Sequence, residues 1–202
     1  MRYRTPIIVL ALSLTVSAAP TICLAQATSR APLERPAARA LLLPMAMYNE
    51  QANLLEATDT VKAFIASEVV QHRLGELLGA QLVDSAMASR VLALPAVLAT
   101  TGGKPCNVIV ACARAAAREA GAPWVVMGKV SKTSNLIWLF TGQLIHVASG
   151  EIILDDSTEL KGDPDNMVRV GSRIFAERVA RAIRLGGVAT NYPDPNWPPP
   201  TR

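Results

Sequence analysis

Gly121-Ala-Pro-Trp-Val-Val-Met-Gly-Lys-Val130 is the stretch on which the fold turns. Glycine ends a helix without steric cost and Pro123 keeps it from resuming, so Trp124 to Val130 starts fresh. Its unbroken hydrophobicity predicts a central strand covered on both faces. Upstream, the Ala-rich run from Pro105 to Ala120 predicts a helix, with Pro105 in its first turn. Downstream, a polar turn at Ser131 to Asn135 leads into a long strand from Leu136 to Val147. A tight turn at Ala148-Ser-Gly150 then leads to a third strand from Glu151 to Leu154. Connections this short predict an antiparallel meander.

Further out the pattern alternates. Ala40-Leu-Leu-Leu-Pro-Met-Ala-Met47 suits a buried strand, with Pro44 marking an edge or a bulge. Thr58 to Leu78 reads as a helix with two apolar faces, Val61, Phe64, Ile65 and Val69 against Val70, Leu74, Leu77 and Leu78. The change of phase near Gln71 predicts a kink or a helix covered on two sides. Gln81 to Asp84 is short enough for a strand, and Ser85 to Leu98 returns to a helical or irregular pattern. After Gly162-Asp-Pro-Asp-Asn166 comes a helix with Val170, Ile174, Phe175, Val179 and Ile183 on one side. The expected fold is α/β: a mixed sheet of about five strands, parallel crossovers first and an antiparallel meander later, with three to four packed helices.

The amino terminus sets the expected compartment. Arg2 and Arg4 precede the apolar run Ile7 to Ala19, then Pro20 and the small residues Ala25 and Ala27, which together describe a cleavable export signal. The run falls short of the roughly 20 residues of a membrane span. The expected organisation is a signal over 1–25, a lead-in over 26–37, one α/β domain over 38–186 and a Pro-rich tail over 187–202. The expected location is the periplasm, with no transmembrane span after signal removal. The net charge of +4 includes Arg2 and Arg4, so the processed chain carries 18 basic against 16 acidic residues. That imbalance is too weak to argue for nucleic acid.

Cleavage removes Cys23 and leaves Cys106 and Cys112, an even count in an oxidising compartment. In one continuous helix they would be rotated by about 240° and displaced by about 9 Å, beyond disulfide reach. A bridge therefore requires the helix to begin after Cys106; the other reading is two small buried residues on an Ala-rich helix.

No set of residues reads as a catalytic or metal site, and no cofactor is indicated. His72 and His146 have no second ligand at metal spacing. Gly102-Gly103 lacks the order of a phosphate loop, and Gly186-Gly187 ends the last helix. The basic hairpin Lys129, Ser131, Lys132, Ser134 and Asn135 is the most informative polar run. Its residue types fit ordinary turn chemistry or an exposed binding surface, and a Ser/Lys hydrolase or transferase is the enzymatic alternative. Arg169, Arg173, Arg181 and Arg184 line one side of the last helix, a solvated face or a surface for an acidic partner or anionic membrane.

The succession Gly128-Lys-Val-Ser-Lys-Thr-Ser-Asn-Leu-Ile137, Ala148-Ser-Gly-Glu151 and Lys161-Gly-Asp-Pro-Asp165 resembles a bacterial family of secreted proteins of unknown function. The architecture is similar to the amino-terminal domain of TolB and to CsgG-like envelope proteins. The resemblance implies a periplasmic domain that binds or assembles and does not catalyse. The expected function is an accessory protein acting on another envelope or periplasmic protein, with an oligomeric outer-membrane assembly subunit as a further alternative.

Overall fold

A computed structural model of the chain describes residues 39–49, 55–102, 104–134 and 137–189. Contacts divide the chain into two units, residues 1–34 and 35–202, and every described residue lies in the second. The expected signal, Cys23, the lead-in and most of the Pro-rich tail lie outside the described residues.

The stretch from Trp124 forms β3 (Trp124–Lys132), hydrogen-bonded on both edges. On one edge it pairs in parallel with β1 (Ala40–Leu42) and β2 (Ala46–Met47). On the other it pairs antiparallel with β4 (Ile137–His146), which pairs in turn with β5 (Ile152–Lys161). The sheet is mixed and five-stranded, parallel first and a meander later, as the sequence predicts. Pro44 is the reason the first strand divides. It has no N–H to give, and the next donor, Met45 N–H, bonds Ser67 Oγ at 2.8 Å instead of the sheet.

Alternation along the strands sends side chains to two helical layers. Trp124, Val126 and Val130 of β3 and Phe140 and Leu144 of β4 meet α1 (Thr60–Leu78) and α5 (Pro164–Arg184). Val125, Met127 and Ile145 meet α2 (Ser85–Leu92), α3 (Pro95–Leu98) and α4 (Val110–Glu119). Two helices begin on caps that the sequence carries. Asp84 accepts from Met87 N–H, and Asp163, with Pro164 in the first turn, accepts from the N–H groups of Asp165 and Asn166. Among the described residues no helix is long and apolar enough to cross a membrane.

Four expectations change. Gln81 to Asp84 is not a strand: Gly79–Gln81 is a single 3-10 turn, and only Leu82 bridges Ala40. Ser85 to Leu98 divides in two because Pro95 forces Leu94 out of helical backbone, to ψ 133°. α1 runs unbroken, with Ala63, Ile65, Ala66, Val70, Leu74, Leu77 and Leu78 inward, while Val61 and Phe64 stay exposed, Phe64 at 65%. On α5, Val170 and Ile174 face outward although Phe175, Val179 and Ile183 are buried. Gly171, Ser172, Ala176 and Ala180 are buried in their place, because α5 packs closely against both α1 and the sheet and small residues allow that approach.

The closest of these approaches is at Gly142, paired across the strands with Gly128. A Cβ on Gly142 would sit 2.6 Å from the Phe175 ring, and one on Gly128 would sit 2.7 Å from Met45 Sδ. Gly142 thus leaves the recess that Phe175 fills, edge-on to Phe140 with centroids 5.6 Å apart, and Gly128 leaves room for Met45. Gly142→Ala is expected to cost about 1–3 kcal/mol by overpacking, read as a lower urea midpoint. Adding Phe175→Leu should return part of it; an unchanged midpoint in the single variant would show that the ring is not confined.

Candidate functional site

The α2–α4 layer is the smaller one, and it leaves part of the meander uncovered. On that side Lys129 and Thr141 face each other directly across β3 and β4, as do Met127 and Gln143. These four form the floor of a cleft of about 250 Å³. Its walls are Tyr48, which follows β2, and Lys104, Asn107, Val108 and Ile109, which precede α4. The Lys129 ammonium lies 5.3 Å from the centre of the Tyr48 ring, a cation–π contact. Gln143 Nε2 donates to Asp155 Oδ1 at 3.2 Å, which fixes its amide at one end of the floor.

The wall before α4 is held by a covalent bond. Cys106 begins a 3-10 turn, Cys106–Val108, and α4 starts only at Val110, so the condition for a bridge is met. Cys106 and Cys112 are joined as a disulfide with Cα atoms 5.1 Å apart. Pro105 caps that turn and does not sit in the first turn of α4. Asn107 is held as well, its Nδ2 donating to Pro44 O. Two polar atoms at the cleft, Asn107 Oδ1 and Thr141 Oγ1, are buried without a hydrogen-bond partner among the described residues. Buried polar groups in proteins are mostly paired, so two such atoms at one cleft mark where an occupant would complete the bonding.

The hairpin residues separate in space. Lys129 and Ser131 project toward the cleft side, while Lys132 projects to the opposite face, as strand alternation requires. Lys132 is buried (4% exposed), not on an exposed hairpin tip. Its Nζ contacts Asp59 Oδ2 at 3.0 Å and Glu56 Oε1 at 3.5 Å, and lies 5.4 Å from the centre of the Trp138 ring. Ser131 and Lys132 are therefore not brought together as nucleophile and base. Ser134 Oγ accepts from Ile137 N–H at 3.1 Å, turn chemistry at the head of β4. Asn135 lies outside the described residues.

Around this pair the acid-base balance is clear in direction. The hydrogen bond to Asp59 raises the Lys132 pKa above the ordinary lysine value, against the effect of burial. Burial pushes the Asp59 carboxyl up, but the Glu56 N–H and Lys132 outweigh it and hold its pKa below the usual range. Asp156, facing α5, is different: burial raises its pKa despite the Arg178 guanidinium beside it.

The remaining candidates are placed as follows. Arg169, Arg173 and Arg184 are exposed on α5 and Arg181 is half-buried, all on the layer opposite the cleft. Arg184 Nη2 donates to Leu77 O at the end of α1. His72 is exposed beside Glu76, and His146 bonds Ser149 Oγ at 2.8 Å while its ring lies 5.0 Å from that of Trp124. Among the described residues there is no group of three or more side chains suited to a metal ion. Tyr48, Asn107, Thr141 and Gln143 were not legible as site residues; the one signal for the last two was polar residues at alternate positions in an otherwise apolar strand.

Residues 95–179 match a family, DUF3280, described as "Protein of unknown function (DUF2380)". No curated protein matches the chain. Among solved structures, the LpoB C-terminal domain from Salmonella enterica is similar at 20% identity and TM-score 0.44, over 62% of this chain and 84% of that one. A TolB from Acinetobacter baumannii is similar at 16% identity and TM-score 0.42, over 77% of this chain but only 30% of TolB. A PelC dodecamer from Paraburkholderia phytofirmans is similar at 12% identity and TM-score 0.40, over 72% of this chain and 86% of that one. The resemblance to TolB read from the sequence thus has a counterpart, but no functional argument rests on likeness at this level.

Two outcomes follow for stability. Replacing both Cys106 and Cys112 with Ser is expected to cost about 2 kcal/mol, the closure entropy of so short a loop, read by urea titration; no loss would show that the wall holds without the bond. Wild-type stability should fall as pH drops through the depressed Asp59 pKa, below the ordinary carboxylate value of about 3.9. Asp59→Ala should remove that limb and, by leaving the buried ammonium only the longer contact to the exposed Glu56, lower the urea midpoint more than Lys132→Met does. Asp59→Leu combined with Lys132→Met should be more stable than Asp59→Ala alone.

Proposed function

We propose that this protein is exported to the cell envelope and serves there as a non-enzymatic accessory protein, binding another envelope component at the open half of its sheet. The observation that carries the reading is the cleft over Lys129, Thr141 and Gln143, walled before α4 and containing two buried polar atoms without a partner among the described residues. A floor on paired strands and a wall fixed by a disulfide describe a preformed binding site. The Cys106–Cys112 bond also supports export, since structural disulfides persist in oxidising compartments. The Ser/Lys enzymatic reading draws no support from the geometry. Ser131 and Lys132 occupy opposite faces of the sheet, and Lys132 is held charged by Asp59, whereas a lysine accepts a proton only when neutral.

The test is a photo-crosslinking amino acid placed at Gln143 in the exported protein, with Arg118 on the exposed side of α4 as control. A defined crosslinked species should form from position 143, not from 118, and should disappear when Thr141→Trp fills the cleft without lowering the melting temperature. Crosslinks that form equally from both positions, or that survive Thr141→Trp, would refute the reading.

A further inference from the structure

We infer that the cleft receives the free carboxyl terminus of a polypeptide whose last side chain is apolar; this rests on the reading of the cleft as a binding site. Charge gives the first part. Among the described residues, the charged side chains lining the cleft are Lys104 and Lys129 and no aspartate or glutamate lines it; Asp155 is engaged by the Gln143 amide at one end of the floor. α4 also begins beside it, at Val110, with Ile109 as an N-cap that supplies no side-chain hydrogen bond. The positive end of a ten-residue helix adds to the two ammonium groups, so the site favours an anion.

Hydrogen bonding narrows the anion. Thr141 Oγ1 can donate to an oxygen, whereas Asn107 Oδ1 can only accept while its amide nitrogen is held by Pro44 O. The occupant must therefore bring an N–H or O–H donor as well as an anionic oxygen. A free amine is disfavoured beside two lysines with no lining carboxylate among the described residues. A secondary amide supplies the donor without charge. Shape completes the description, because Val108, Ile109 and Met127 make an apolar flank next to these polar groups. Carboxylate, adjacent amide N–H and apolar side chain together make up the last residue of a peptide chain, a ligand whose capture by backbone and side-chain donors is a recurrent mode of recognition. A cleft of about 250 Å³ suits one such residue.

The experiment titrates the isotope-labelled full chain by NMR with four small probes: N-acetyl-L-leucine, its neutral amide, N-acetyl-L-glutamic acid α-amide and inorganic phosphate. N-acetyl-L-leucine should shift the amide resonances of Lys129, Thr141 and Gln143 and bind roughly tenfold more tightly than its amide. Lys129→Met should bring the acid down to the level of the amide, and Lys104→Gln, at an exposed position, should weaken it in the same direction. Equal binding of acid and amide would overturn the inference. So would binding of the glutamic acid α-amide as tight as that of N-acetyl-L-leucine, which would mean a side-chain carboxylate suffices. Phosphate displacing the acid at equal concentration would overturn it too, as a site for any oxyanion. Any of these results together with the position-143 crosslink leaves the binding reading standing; loss of that crosslink's specificity removes both.

Discussion

Everything in the fold is arranged around the double demand of β3, which must satisfy hydrogen bonds on both edges and bury side chains on both faces. The chain meets the first demand with two connections of different kinds, a crossover through the four helices α1 to α4 before it and a hairpin after it. It meets the second with layers of unequal size. α1 and α5 are long enough to cover their whole face, whereas the short, Ala-rich helices on the other side stop before the far end of β4 and β5. The cleft is the direct result: it is the step where the thinner layer ends and the sheet continues.

The same asymmetry decides where charge is buried. On the covered face the ends of the strands reach under the helices, and Lys132 and Asp156 are enclosed with partners supplied from outside the sheet, Asp59 before α1 and Arg178 on α5. Arg73 of α1 is likewise enclosed between Glu76 and Glu177, and these bonds outweigh burial to raise its pKa. Asp59 and Lys132 favour the charged state of the fold, while Asp156 keeps a raised pKa and its ionisation works against folding. Buried ion pairs of this kind add little net stability over an apolar replacement but are costly to break by removing one partner.

Much of the architecture was legible because it rests on local signals. Gly121 and Pro123 mark the start of β3, the short turns give the meander, and Pro44 marks the break between β1 and β2. The helix faces were less legible. Val170 and Ile174 are larger and more apolar than Gly171, Ser172, Ala176 and Ala180, so hydrophobicity alone chose the wrong stripe; close packing against two neighbours selects small residues, and that is a tertiary fact. The candidate site was the least legible part. Lys129 was singled out, but its polar neighbours in the cleft come from other segments of the chain, and Lys132 differs from it only by the parity of its strand position.

The parallel pairing of Ala40 with Trp124 joins residues 84 positions apart in the chain. The meander and α5, by contrast, are built from neighbours, so the carboxy-terminal part can organise early while β1 and α1 wait for it. Non-local pairing of this kind slows folding, because the entropy of closing the loop is lost before the contacts are gained. Until β1 arrives, one edge of β3 stays unpaired and the apolar side chains that α1 covers stay open. An amino-terminal segment emerging first from a ribosome therefore has no template on which to complete its part of the sheet until β3 has followed it.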